Sequence, residues 1–161
     1  RLMEYLKELP FRDLGDIKID NHRKLRKGFS EVVYCENKDI DQLKRILFSL
    51  RESNSNLLMT RIDKKKFLAI KRYFNRLEYN EKARTAYIIY DKKIEDKKKK
   101  VIILTAGTSD INVAEEAAIT LEVMGNCVDK IYDVGVAGIH RLLKFRERIN
   151  EANVIIVIAG M

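Results

Sequence analysis

Three apolar runs spaced through residues 101–161 constrain the fold more than any other feature. VIILTA (101–106), CVDKIYDVG (127–135) and ANVIIVIAGM (152–161) alternate with two stretches whose apolar residues recur at helical spacing. VIILTA is almost continuously apolar, as expected of a strand covered on both faces in a parallel sheet. INVAEEAAITLEVMG then brings Val113, Ala114, Ala117, Ala118, Leu121 and Met124 to one helical face and ends at Gly125, a residue suited to a helix terminus. AGIHRLLKFRERIN offers Ile139, Leu142, Leu143, Phe145 and Ile149 as the apolar positions of a second helix. ANVIIVIAGM reads as a third buried strand. Strand, helix, strand, helix, strand in this order requires right-handed crossovers and predicts a doubly wound parallel sheet. Three strands and two helices make about half of such a domain, and a further helix is expected to begin where the sequence stops.

The first part of the chain has a different texture. DKKIEDKKKK (91–100) packs six lysines into ten positions, and like charges at that density favour an exposed connection. Before it, EVVYC (31–35), NLLMTRI (56–62) and TAYIIY (85–90) read as short strands. IDQLKRILFSLRES has a helical stripe at 40, 43, 46, 47 and 50, with Asp39 or Asn37 as its cap. DKKKFLAIKRYFNRL repeats the spacing with Phe67, Leu68, Ile70, Phe74 and Leu77, capped by Asp63. A polar arm, residues 12–30, precedes these elements. The expected architecture is α/β throughout: a small N-terminal unit (1–90), a Lys-rich linker (91–100), and half of a doubly wound parallel-sheet domain (101–161).

Charge follows the same division. Residues 101–161 hold five Lys/Arg and eight Asp/Glu, a net of −3, so residues 1–100 carry the other 27 and 16, a net of +11. Such asymmetry can mark a nucleic-acid surface, but no zinc-finger, aromatic-platform or helix-turn-helix pattern accompanies it. A solvated, Lys-rich face is the reading taken, and nucleic acid is not expected as a partner. No apolar stretch approaches the roughly 18 residues that span a bilayer. The opening RLMEYLKELPF lacks a secretory h-region. The chain starts on Arg1, so residues are expected to precede it. Cys35 and Cys127 show no metal-ligand spacing and read as reduced, buried thiols of a cytoplasmic protein.

Ligands of open parallel sheets bind beyond the carboxyl ends of the strands. Three turns lie there: AGTSD, YDVGVAGIH and AGM. In the first, Gly107 admits close approach of an anion, Thr108 and Ser109 supply hydroxyls, and Asp110 either caps the following helix or holds a ribose hydroxyl. There is neither G-x-x-x-x-G-K-[ST] nor G-x-G-x-x-G, so the turn matches no Walker or Rossmann fingerprint. Taken alone it reads equally well as a capped helix start. In the second turn His140 is the titratable group suited to proton transfer, with packing or capping as the alternative, and Asp133 is a second candidate. In the arm, DNHRKLRKGF places Arg23 and Arg26 near His22, a basic surface turn or a phosphate contact.

AGTSD, AEEAAITLEVMGN, IYDVGVAGIHRLL and VIIVIAGM, with DNHRKLRKGFSEVVYCENK, MTRI and ARTAYIIY before them, together resemble the LarB family of nickel-pincer cofactor biosynthesis. The C-terminal domain of that family is similar to PurE, an aminoimidazole ribonucleotide carboxylase/mutase with a flavodoxin-like sheet. The resemblance covers essentially the whole chain, with Ser30 standing where the family usually has proline. It implies a synthase of pyridinium-3,5-biscarboxylic acid mononucleotide. That reaction carboxylates nicotinic acid adenine dinucleotide with carbon dioxide and hydrolyses its phosphoanhydride to release AMP, with Mg²⁺ assisting. It further implies a homo-oligomer, as PurE-like domains form. By the same resemblance His140 handles the carboxylate, the Ser109–Asp110 turn holds ribose and phosphate, and Ala159 and Gly160 line the same pocket. The candidate site adds Asp133, with helix capping as its alternative, as a second catalytic group, and Gly107, Thr108, Gly138, Arg141, Arg23 and Arg26 as substrate contacts. The family's later glutamate and nucleophilic cysteine do not occur in this sequence, and Cys127 sits at the amino end of its strand. The resemblance therefore implies an incomplete, inactive piece of a LarB-type enzyme. The alternatives are a PurE-like carboxylase of purine synthesis, against which the DNHRKLRKGF arm argues, and a non-catalytic nucleotide-binding module.

Overall fold

A computed structural model describes residues 11–20, 23, 28, 29, 31–51, 55–90 and 99–160. The chain forms two compact units, one of Arg1–Tyr79 with Ala86–Asp91 and one of Asn80–Thr85 with Lys92–Met161. Most of the Lys-rich stretch, residues 91–98, lies outside the described residues; Lys100 already opens a strand. Among the described residues no helix is long and apolar enough to cross a membrane.

The first unit begins with a hairpin that the polar composition of its segment conceals. Strands β1 (Phe11–Asp13) and β2 (Lys18–Asp20) pair antiparallel. Their turn holds Gly15 at a φ of 90°, and the Gly15 N–H donates to Asp13 Oδ1 over 2.8 Å. Among the described residues of the hairpin Ile17 and Ile19, two apart, are the fully buried ones, with Leu14 packed partly against the same core, so the strand period is too short to stand out in the sequence. Strands β3 (Val32–Tyr34), β4 (Leu57–Thr60), β5 (Glu78–Asn80) and β6 (Thr85–Ile88) form a sheet of order β3-β4-β6-β5, with β3 parallel and β6 antiparallel to β4. β4 is buried along its whole length.

Helix α1 (Ile40–Arg51) starts at a reciprocal cap that settles the choice in favour of Asp39. The Gln42 N–H donates to Asp39 Oδ1 (2.8 Å), and the Asp39 N–H donates to Gln42 Oε1 (3.1 Å). Its stripe puts Leu43, Ile46 and Leu47 into the core with Met59, Ile62 and Ile70. Helix α2 (Lys64–Lys71) is capped by Asp63, which accepts the Lys66 N–H (2.8 Å). It is shorter than the spacing predicts: Phe74 and Leu77 reach the core from turns beyond it, while Leu68 faces solvent. Lys71 Nζ donates to the carbonyls of Asn75 and Leu77, both at 2.7 Å, and so holds the turns that follow the helix against its end. Cys35 lies in this core, where burial pushes its thiol up to about 12.

In the second unit β7 (Lys100–Thr105), α3 (Ile111–Val123), β8 (Cys127–Ile131), α4 (Ile139–Leu143), α5 (Arg146–Asn150) and β9 (Val154–Ile158) follow in turn. The sheet order is β8-β7-β9, with both pairings parallel. Strand period assigns the helices to opposite faces. Ile102 and Leu104 pack with Ile131, Leu142, Phe145 and Ile149, whereas Ile103 packs with Ala114 and Ala118 of α3. β7 is buried on both faces, as its composition predicts. The expected α/β doubly wound arrangement is therefore the one the chain adopts.

Three expectations need correction. Val113, Ile139 and Leu143 are exposed, so they do not belong to the packed helix faces. The second helix is broken into α4 and α5, because Phe145 turns inward and its N–H bonds back only three residues, to the Leu142 carbonyl (3.0 Å). β9 is an edge strand and not fully buried: Val154, Ile155 and Val157 face outward.

The hairpin is fastened to α1 by charge. Arg45 forks onto Asp16, with Nη1 2.7 Å from Oδ1 and Nη2 donating to Oδ2 over 3.0 Å, while Gln42 Nε2 donates to the same Oδ2 over 2.9 Å. These contacts, the Arg45 hydrogen bond foremost, hold the Asp16 carboxyl at about 2 instead of 3.8. Because the folded value is depressed, the contribution is complete above the ordinary value and is lost as pH falls through about 2. The site is exposed, so the effect is small and salt-sensitive. Asp16→Asn is expected to flatten the acid limb of the stability profile between about pH 4 and 2. Urea midpoints measured across that range check this, and identical slopes for variant and wild type contradict it.

Candidate functional site

With strand order β8-β7-β9, the chain leaves β7 to one side and returns on the other. The switch point thus lies between the carboxyl ends of β7 and β9, where ligands of such sheets bind. The two ends are bound together there. Ala106 N–H donates to the Ile158 carbonyl (3.0 Å). Asp110, only 8% exposed at the end of the short 3₁₀ turn Thr108–Asp110, accepts the Gly107 N–H at Oδ2 (2.9 Å) and the Gly160 N–H at Oδ1 (3.0 Å). One carboxylate therefore closes the AGTSD turn and ties it to β9 across fifty residues of sequence. The N–H groups of Gly107 and Gly160 are consumed by this tie, whereas Thr108, Ser109 and Ala159 remain exposed.

The loop after β8 is pinned onto the end of β7 from the opposite side. Thr105 is 1% exposed, and its Oγ1 accepts the Asp133 N–H (2.9 Å). The Thr105 carbonyl accepts the Val134 N–H and the Ala106 carbonyl accepts the Gly135 N–H, both at 2.9 Å. Asp133 itself has a φ of 58°, a left-handed conformation that Asp tolerates better than most residues. Its Oδ2 accepts from Arg141 Nη1 over 2.6 Å. The guanidinium lies over bare Gly138, where a Cβ would stand 2.6 Å from Arg141 Nε. His140 is exposed on α4 beside Arg141. Tyr132 braces the loop against α3: its hydroxyl donates to Glu115 Oε1 (2.8 Å), and Lys130 Nζ reaches Oε2 at 3.1 Å. Burial, reinforced by Glu115, pushes the Tyr132 hydroxyl above its ordinary value and keeps it a donor.

The sheet edge thus collects the Gly107–Asp110 turn, Asp133, Gly138, His140, Arg141, Ala159 and Gly160. Arg23 belongs to the first unit, where its guanidinium stacks 5.3 Å from the Phe29 ring centroid and its Nε is buried with no hydrogen-bond partner among the described residues. His22, Arg26, Ser30 and Met161 lie outside the described residues. Cys127, half buried, is the first residue of β8 and so sits at the amino edge of the sheet. Thr105 and Gly135 escape a reading by motif. Their signals are a lone hydroxyl closing an apolar strand and a glycine in YDVG. Among the described residues no three His, Cys, Asp or Glu side chains gather to hold a metal ion, and the two carboxylates at this edge are already engaged. They do not by themselves make a resident Mg²⁺ site. The first unit contains a separate open cavity of about 460 Å³ over Ile17, Ile19 and Val33, rimmed by Glu31, Tyr34 and Lys38.

Comparison with known proteins gives two findings. Residues 11–91 match the LarB/PurE-like N-terminal domain family. An uncharacterised protein of Methanocaldococcus jannaschii is 46% identical over 167 residues, which cover 99% of this chain and 63% of the relative. The chain thus spans less than two thirds of the length of that curated relative, and the aligned part includes the parallel sheet.

Two glycines at the edge make opposite demands. A Cβ on Gly135 would meet the Ala106 carbonyl oxygen at 2.6 Å, a backbone atom that cannot swing away. Gly107 has a φ of −128° and nothing nearer than 3.7 Å, so the fold does not require its missing side chain. Gly135→Ala is expected to cost about 1–3 kcal/mol, and Gly107→Ala less than about 0.5 kcal/mol. Chemical denaturation of both variants checks the contrast; equal losses contradict it.

Proposed function

This chain belongs to the LarB/PurE-like N-terminal domain family, and on that premise we propose that it carries part of a LarB-type carboxylase acting on nicotinic acid adenine dinucleotide. The product of the proposed reaction is pyridinium-3,5-biscarboxylic acid mononucleotide, with carbon dioxide as the carbon source and AMP released on hydrolysis of the phosphoanhydride. The observation that supports this reading is that three strand-end turns lie along the carboxyl edge of one parallel sheet and carry Thr108, Ser109, His140 and Arg141. The match to the LarB/PurE-like N-terminal domain family supports a carboxylase of this class, and the DNHRKLRKGF arm argues against a purine carboxylase.

In the proposal each group has a physical task. Thr108 and Ser109, exposed in the turn before α3, face the ribose and phosphate portion, where hydroxyl donors and a helix start suit an anion. Arg141 supplies a planar fork for phosphate or carboxylate oxygens. Gly107, unneeded by the fold as a glycine, leaves the backbone open to a close ligand. The pyridinium ring is electron-poor, so a nucleophile must add to it before it can attack carbon dioxide. That nucleophile is assigned to no residue of this chain. Once the new carbon–carbon bond is made, loss of the ring proton to a base and departure of the added nucleophile with its bonding pair restore aromaticity, and the proposal gives the base's task to His140, exposed on α4. Mg²⁺ carried by the phosphoanhydride would supply charge neutralisation to its oxygens, and no residue of this chain is assigned to hold it.

The test is product formation from nicotinic acid adenine dinucleotide, bicarbonate and Mg²⁺, followed by mass spectrometry. It is made in a protein that carries this sequence within a chain as long as the M. jannaschii relative, 63% of which this chain covers. Dicarboxylated mononucleotide and AMP are expected. His140→Asn should lower turnover by about 10²–10⁴-fold while leaving stability within about 0.5 kcal/mol. Full turnover in the variant removes His140 from the mechanism. Carboxylation of aminoimidazole ribonucleotide without any of the pyridinium product overturns the reading itself.

A further inference from the structure

The best-determined geometry at the sheet edge belongs to Asp133, and what determines it is a chain of contacts running from the core outward. Three consecutive N–H groups, those of Asp133, Val134 and Gly135, are bound to Thr105 Oγ1, the Thr105 carbonyl and the Ala106 carbonyl at 2.9 Å each. A left-handed, non-glycine residue persists only where its surroundings over-determine it, and here they do. The acceptor that binds Asp133 itself is a buried hydroxyl at the end of the strand most deeply embedded in this unit. At the other end of the chain of contacts, the carboxylate does not point to open solvent unpartnered; it receives Arg141 Nη1 at 2.6 Å. The guanidinium is held on a second side by Gly138, whose missing Cβ leaves the space that Nε occupies. Arg141 nevertheless keeps 39% of its side chain exposed, so its remaining N–H groups stay accessible.

We infer that Asp133 is a positioning residue, which aims the Arg141 guanidinium at an anionic group of the ligand, and that buried Thr105 is the lock that sets Asp133. The inference rests on the proposed function for the identity of that ligand, but not for the geometry. An arginine free to rotate loses much of its advantage over lysine, because the benefit of a planar fork comes from pre-organisation. Asp133 removes that freedom with one charge-assisted hydrogen bond. Thr105 prevents Asp133 from relaxing out of the left-handed conformation, which would carry its carboxylate away from α4. Asp133 then needs no proton-transfer role of its own.

The experiment reads Arg141 directly, by side-chain ¹⁵N–¹H NMR of the full chain, with Arg141→Lys used to assign the guanidinium signals. Thr105→Val removes the hydroxyl at nearly constant volume, Thr105→Ser retains it, and Asp133→Asn keeps a side chain that tolerates the left-handed backbone. Distinct, slowly averaging Arg141 signals are expected in the wild type and Thr105→Ser, and broadened or averaged ones in Thr105→Val and Asp133→Asn. Titration with inorganic pyrophosphate should shift the wild-type signals. Affinity for pyrophosphate and for nicotinic acid adenine dinucleotide should fall about tenfold or more in the latter two variants, the scale of one charge-assisted hydrogen bond. Arg141 signals indifferent to Thr105→Val and Asp133→Asn, or unmoved by pyrophosphate, overturn the inference, even if the dinucleotide binds. Signals that respond to both variants and to pyrophosphate, with no binding of the dinucleotide, uphold the inference and sink the proposed substrate.

Discussion

Everything at the candidate site is referenced to β7, a strand buried on both faces and hydrogen-bonded along both edges. Such a strand cannot shift by one residue without exchanging its two hydrophobic faces, Ile102 and Leu104 for Ile103. Its register therefore fixes where Thr105, Ala106 and Gly107 emerge. The loop after β8 hangs from Thr105 and Ala106, and the end of β9 is fastened to the turn through Asp110. Buried acceptors that each satisfy specific N–H groups make this edge a rigid frame, since leaving any of those groups unpaired in the interior is costly. Rigidity is what a site needs when small displacements of a catalytic group lower rates steeply.

Legibility in the sequence tracked how much burial each element required. β7 was readable because a strand covered on both sides must be apolar at every position, and α3 because its Ala-rich face ends at a glycine that has a φ of 88°. The hairpin of β1 and β2 was not, because two inward residues separated by one outward lysine make no pattern. The break between α4 and α5 was likewise hidden. Ile139 and Leu143 continue a helical stripe on paper, yet among the described residues they stay exposed, and the inward side is built by Leu142, Phe145 and Ile149. At the site, the turns were legible as glycine-punctuated strand ends. What each residue does within them was not. Asp110 looked like a helix cap or a ribose ligand, and its bond to Gly160 depends on a strand arriving fifty residues later. Thr105 carried no motif at all, since a buried hydroxyl acquires its meaning only from the loop packed on it.

The two units divide the argument for identity. The family match covers residues 11–91, which include the hairpin, the four-stranded sheet and its helices, while the chemistry proposed for the chain lies on the three-stranded parallel sheet. Alignment with the longer relative joins the two, as it runs across 99% of this chain. Both units use an exposed Arg–Asp pair that screening weakens, Arg45 with Asp16 at the hairpin and Arg141 with Asp133 at the sheet edge; the sheet edge adds hydrogen bonds between buried or half-buried groups, which screening affects less.

The most direct measurement of the central claim, that ligand binds at the carboxyl edge of β7, is amide chemical-shift mapping of ¹⁵N-labelled chain titrated with nicotinic acid adenine dinucleotide. The account predicts that perturbed residues cluster at 106–110, 133–141 and 159–160, with Cys127 and Asn153 at the amino edge unmoved. Perturbations concentrated instead around Cys127 and Asn153, or at the Tyr34 and Lys38 rim of the first unit's cavity, would contradict it.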